Sequence, residues 1–275
     1  MIGRNIRSYS EKFLFKFNLQ SYSTMLEHAK DAGYEFISFT KAKKLIIDKP
    51  NEKDGTCTLR HDIDVNLNFA LKMAELEANL GIYSTYFLMW RSPFYNLTSR
   101  NSQNCVEKII SLGHEVALHY DLGYDTLKGY SNLRSIKEIN SQAAWMEQLF
   151  DCKVTSVSFH QPSQTLLTNG IDTVPRLNTY DSKLKLKYAY FSDSNRDISL
   201  LKQYKNKKDL QDKDLISVRY PEDIQLLIHP IWWVLKDIGV KTVWNKAIAD
   251  NFQTAQLQAL STERCFGHKR SFEIK

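Results

Sequence analysis

The sequence predicts an α/β fold in which a parallel sheet closes toward a barrel through helical crossovers, within one domain over 1–275. Three observations point there. Short runs rich in β-branched and aromatic residues alternate with amphipathic stretches, the pattern of parallel strands joined by helices. Gly33, Gly81 and Gly113 close three of the amphipathic stretches, as residues free to adopt a left-handed backbone commonly do. No repeat, low-complexity tract or Pro/Gly/Ser-rich linker marks a domain boundary.

The first helix is expected over 20–33, where Tyr22, Met25, Leu26 and Ala29 form one stripe. A short strand is expected at 36–40. Residues 57–64 read as a strand running into a polar end, and 66–80 as a helix with Leu67, Ala70, Leu71, Ala74 and Ala78 at helical spacing. The aromatic, β-branched run at 83–90 is a strand, and the loop around Pro93 leads to a helix near 101–112. A strand at 114–119, a helix near 131–150 and a strand at 154–160 before Pro162 come next. Later strands are expected at 188–192, 215–218 and 225–229, with a helix over 243–260 at the end.

With 275 residues, 43% of them hydrophobic, the chain can bury a sizeable core. Its 25% charged residues suit an ordinary globular protein and exclude a disordered or fibrous one. The net charge of +6 is diffuse, because the basic runs at 183–187 and 205–208 are broken by other residues. A nucleic-acid binder would carry a continuous basic stripe, so no nucleic-acid partner is expected; the mild positive field suits an anionic substrate. No apolar run is long enough to span a membrane, which leaves only peripheral membrane contact open. The first residues lack the apolar core of a secretory signal, and Cys57, Cys105, Cys152 and Cys265 form no C-x-x-C pair. The expectation is a cytoplasmic protein with reduced thiols.

Four of the seven histidines close predicted strands: His61 with Asp62 and Asp64, His119 with Asp121, His160 before Pro162, and His229 before Pro230. Asp193 follows another strand. Strand ends of a parallel barrel converge on one rim, where such residues would form a His/Asp cluster suited to a hard or borderline divalent metal. Each residue alone has a structural explanation: Asp64 could cap the helix near Asn66, and Asp121 could belong to a turn at Gly123. Histidine recurring at strand ends is what independent capping roles do not predict.

Several of these segments, in order, resemble the NodB-homology polysaccharide deacetylases. Leu59-Arg-His-Asp-Ile-Asp64, with the helix ending at Gly81 and the strand around Ser84 and Phe87, resembles the first motif region. Gly113-His-Glu-Val-Ala-Leu-His119 resembles the second. Phe159-His-Gln-Pro162, Ser192-Asp-Ser194 and Leu226-Leu-Ile-His229-Pro stand where the third, fourth and fifth would fall, so the similarity covers about 55–232. The resemblance implies a distorted (β/α) barrel of about seven strands, here with extra helices at both ends. It implies metal-dependent deacetylation with Asp62 as general base, Asp64 and His119 as metal ligands, and His229 as general acid oriented and charged by Asp193.

One position departs from the family pattern. The family's second ligating histidine stands four residues after the first, and that position here is Gly123. The third ligand would then be His160, which stands where the family has the arginine that steadies its base, with Asp121 and His61 as lesser candidates. The expected activity is removal of an acyl group, acetyl first, from an N-acylated sugar, soluble or lipid-linked, in glycan or surface-polysaccharide biosynthesis. Zn2+ is the first choice of cofactor, ahead of Co2+, Ni2+ and Mn2+. Trp90, Phe94, Tyr95, Tyr120, Trp232 and Trp233 read either as platforms for sugar faces or as packing residues. Competing expectations are a catalytically inactive sugar-binding or scaffold relative, and a deformylase or other amidase acting on a different small amide.

Overall fold

The structure is a computed structural model that describes residues 16–52, 54–122, 132–162, 167, 173–196, 223–236 and 238–263. Helix α1 (Leu19–Asp31) buries Tyr22, Met25, Leu26 and Ala29, and the Asn18 side chain caps it by accepting from Ser21 N at 2.8 Å. Strand β1 covers only Glu35–Phe36. The strand expected at 36–40 gives way to helix α2 (Phe39–Asp48), capped by Ser38. Phe39, Ala42 and Ile46 form its buried stripe, a spacing that fits a helix and cannot sit on one face of a strand.

Strand β2 (Thr56–Ile63) is buried at all eight positions, as befits a central strand of a parallel sheet covered on both sides. Helix α3 (Leu67–Asn79) follows, and its cap is Asn66, which accepts from Phe69 N at 2.9 Å. Asp64 is therefore not the cap. Strand β3 (Thr85–Leu88), helix α4 (Arg100–Ser111), strand β4 (Glu115–Asp121), helix α5 (Asn132–Phe150) and strand β5 (Ser156–His160) continue the alternation. Gly81 and Gly113, at φ +67° and +94°, turn the chain after α3 and α4.

Strand β6 (Leu177–Asn178) and helix α6 (Ser182–Lys187) were not expected; both are too short to show a period. Strand β7 (Tyr188–Ser192), strand β8 (Asp223–Ile228), the one-turn helix α7 (Pro230–Trp233) and the long helix α8 (Val240–Thr262) complete the described elements. The strand expected at 215–218 and the turn at Gly123 lie outside the described residues.

The strands form one parallel sheet in the order β6-β5-β4-β3-β2-β8-β7, with β1 added against β2. This is the distorted (β/α) barrel anticipated above, with no ladder joining β6 to β7 among the described residues. Apolar residues of α1, α3, α7 and α8 pack against β2 and β8. A second core lies between β3, β4, β5 and helices α4 and α5. Phe39, Ala42 and Ile46 of α2 join Phe87 and Ala117 in a third cluster, with the Phe39 and Phe87 rings 5.4 Å apart and edge-on. Among the described residues no helix is long and apolar enough to cross a membrane.

Candidate metal centre

Side chains alternate along a strand, so Arg60 and Asp62 share one face of β2 while His61 takes the other. His61 is buried with Nε2 2.8 Å from Glu77 Oε1, and its ring stacks on Tyr86 at 4.5 Å. This removes His61 from the candidate ligands. Just beyond β2, Asp64 meets His119 from β4 and His160 from the last position of β5.

Asp64 Oδ1 is 3.1 Å from His119 Nε2 and 3.2 Å from His160 Nδ1, and the two nitrogens are 3.3 Å apart. These three are the one group of potential metal ligands of this kind among the described residues, and Asp121, opposite His160 in the ladder, is not part of it. Bonds of about 2.0–2.2 Å from one tetrahedral ion place its donor atoms roughly 3.3–3.6 Å apart, close to the spacing of this triangle. Asp64 Oδ1 is also buried without a hydrogen-bond partner, which a native protein rarely tolerates unless something else occupies it. The residues present therefore fit a divalent ion held by two imidazoles and one carboxylate.

Burial alone would push the Asp64 carboxyl up, but the close imidazoles of His119 and His160 outweigh it and hold the group well below the ordinary carboxylate range. His160 moves the other way. Burial would lower it, yet contact with Asp64 and the charge of Asp121 raise it.

Two further pairs flank the triangle. His229 follows β8, and its Nδ1 lies 2.6 Å from Asp193 Oδ1, beyond β7. Asp193 also accepts from His229 N at 2.9 Å and from Trp233 Nε1 at 2.7 Å. The other ring nitrogen, Nε2, is 3.9 Å from Asp64 Oδ2. Burial disfavours charge on His229, but the Asp193 carboxylate more than compensates and raises its pKa to about 9.

Asp62, only 3% exposed, is gripped by Arg60 through Nε at 2.8 Å and Nη2 at 2.6 Å. Arg60 is itself fixed by Thr179 Oγ1 at 2.9 Å and Tyr180 OH at 3.1 Å, and lies over the rings of Phe87 and Tyr180. Burial would raise the Asp62 carboxyl, and the Arg60 guanidinium reverses this and holds it low. Sequence reasoning missed Arg60 as a partner of Asp62. Its signal was the two-residue spacing, which puts both side chains on one strand face.

The rim aromatics divide. Trp232, Trp233 and Tyr120 are core residues, and the Tyr120 hydroxyl donates to Glu138 Oε2 at 3.0 Å. Tyr95 braces the loop by accepting from Met89 N and donating to Ile63 O. Phe94 packs on Trp244. Trp90 stays half-buried, its ring 5.5 Å from that of the more exposed Trp145.

No protein-family model matches the chain, and no curated protein matches it. Similar solved structures include a Streptococcus pyogenes deacetylase in complex with acetate, at 14% identity and TM-score 0.43, covering 64% of this chain and 75% of that one. A Streptococcus mutans CE4 esterase is similar at 15% identity and TM-score 0.45, covering 84% of this chain and 91% of its own. A CE4 family pseudoenzyme from Bacillus anthracis is similar at 13% identity and TM-score 0.39, covering 76% of this chain and 62% of its own, so this chain spans less than two thirds of that structure.

Proposed function

We propose that this chain is a metal-dependent amide hydrolase that removes an acyl group, acetyl first, from an N-acylated sugar. The observation that carries the reading is the triangle of Asp64, His119 and His160 with His229–Asp193 on one side and Asp62–Arg60 on the other. In this reading Asp64, His119 and His160 hold the ion, with Zn2+ as first choice given two nitrogen donors and one oxygen donor. The ion supplies a Lewis acid that polarises the amide carbonyl and brings the pKa of water toward about 7.

The chain's own residues then handle the protons. Asp62 accepts one from the attacking water. The Arg60 pair favours its ionised form, so Asp62 returns the proton readily rather than retaining it. An amide nitrogen leaves only as an amine, which requires a proton donor. His229 is charged at neutral pH because Asp193 stabilises the imidazolium, and its Nε2 is directed toward Asp64. Arg60 replaces, from the base's own strand, the arginine whose usual place is taken by His160.

We place this activity in one domain over 1–275, in the cytoplasm, acting on a soluble or lipid-linked sugar. The test combines metal analysis with acetate release from an N-acetylated amino sugar. The purified protein should carry one zinc per chain. Asp62→Asn should abolish release and keep the metal, and His119→Ala should lose the metal. Full activity in either variant overturns the assignment, and a wild type that takes up no added metal supports the inactive relative instead.

A further inference from the structure

The triangle needs His119 to present an unprotonated Nε2, and the residue placed to enforce this is Ser158. We propose that Ser158 is a positioning residue that holds His119 in its Nε2-ligating tautomer by linking it to the Arg60–Asp62 pair. The inference rests on the metal centre proposed above.

Residues His119 and Ser158 are partners in the parallel ladder between β4 and β5. That register brings Ser158 Oγ to 2.6 Å from His119 Nδ1. The same hydroxyl donates to Asp62 Oδ1 at 3.3 Å. A carboxylate only accepts hydrogen bonds, so the single hydroxyl proton of Ser158 is directed to Asp62. The serine oxygen is then left as an acceptor, and His119 Nδ1 must carry a proton to meet it. A neutral imidazole protonated at Nδ1 has its lone pair at Nε2, the atom facing Asp64 and His160.

The relay is dry. Ser158 and Arg60 are fully buried, and His119 and Asp62 are 2% and 3% exposed, so water cannot easily replace the hydroxyl. Without it, Asp62 Oδ2 at 3.7 Å from Nδ1 is too far to serve as the acceptor. Arg60 anchors the far end by engaging both Asp62 oxygens.

Partners that orient a ligating histidine are typically worth about 10–100-fold in metal affinity. Zinc affinity of the full chain should therefore fall by about that factor in Ser158→Ala, measured by competition with a chromophoric chelator. Ser158→Thr, which keeps the hydroxyl, should bind as wild type does. Ser156→Ala is the control, since it removes a buried hydroxyl without a hydrogen-bond partner from the same face of β5. Nitrogen-15 NMR of the zinc-free protein should show a proton on His119 Nδ1 in wild type, whichever way Nε2 meets Asp64, and a reduced Nδ1 proton occupancy in Ser158→Ala. Wild-type affinity in Ser158→Ala, equal weakening in Ser156→Ala, or an unchanged Nδ1 proton occupancy overturns the proposal. A wild type that binds zinc but releases no acetate refutes the hydrolase reading alone; one that binds no zinc overturns both.

Discussion

His229 illustrates how much one carboxylate can arrange. Asp193 receives the ring nitrogen and backbone N–H of His229 together with the indole of Trp233, so it fixes the ring's position as well as its charge. An amide in place of that carboxylate keeps the shape and removes the charge that raises His229. Asp193→Asn should therefore lower turnover by about 10²- to 10⁴-fold, the usual worth of a positioned acid, while zinc content stays at wild-type level. Unchanged acetate release in that variant would remove His229 from the proton-donor role. At this scale Asp64 and His160 were legible because type and position coincide, each standing where a strand stops, and His119 was legible by its residue type, a histidine two residues short of the end of β4. Arg60 and Ser158 were not. Each lies inside a strand, and its importance depends on which neighbour the register places beside it.

Between the elements, the opposite face of β2 is held by a second polar group, centred on Glu77 of α3. Its fully buried carboxylate accepts from Tyr22 of α1 at 2.6 Å, from Ser84 at 2.5 Å and from Tyr86 of β3 at 2.9 Å, and meets His61 of β2 at 2.8 Å. Burial would raise Glu77, but His61 and the surrounding donors reverse this and hold it below the ordinary range. A carboxyl with a depressed folded pKa stabilises the protein fully above its unfolded pKa of about 4.3, and that stability is lost as the pH falls from there toward the folded value. Glu77→Gln should cost about 1–3 kcal/mol at neutral pH, because the two partners that meet one carboxylate oxygen then face an amide NH2 instead of an acceptor. The gap to wild type should shrink as the pH drops below about 4.3. Urea midpoints for the two proteins at pH 7 and pH 3.5 measure both effects, and a gap that is constant with pH would show that Glu77 is not ionised in the fold. Helix α2 carries a related lesson. The run 36–40 reads as one strand, but it spans the end of β1, the Ser38 cap and the first two residues of α2, and only the continued stripe through Ile46 reveals the helix.

At the scale of the whole molecule, the barrel brings the three candidate ligands together toward the carboxyl ends of its strands. The metal triangle joins the end of β2 to β4 and β5, strands separated by β3 in the sheet. An ion bound there ties three strands together in the folded state only. Zinc at 100 times its dissociation constant should thus add about 2.7 kcal/mol to stability by mass action. Thermal unfolding should show a higher midpoint with zinc, reversal by a chelator, and no shift in His119→Ala. An equal shift in that variant would place the bound zinc elsewhere.

The amino-acid order by itself determined the alternation of strands and helices and put a histidine or aspartate at one strand end after another, because periodicity and turn chemistry are local properties of the chain. It also supplied Asp62, Asp64, His119, His160, Asp193 and His229 as a set. Tertiary structure decided that His61 turns away to Glu77, that Arg60 of the same strand grips Asp62, and that Ser158 lies against His119. Those outcomes follow from the face each side chain takes on its strand and from the register between neighbouring strands. Both are settled only when segments distant in the chain pack together.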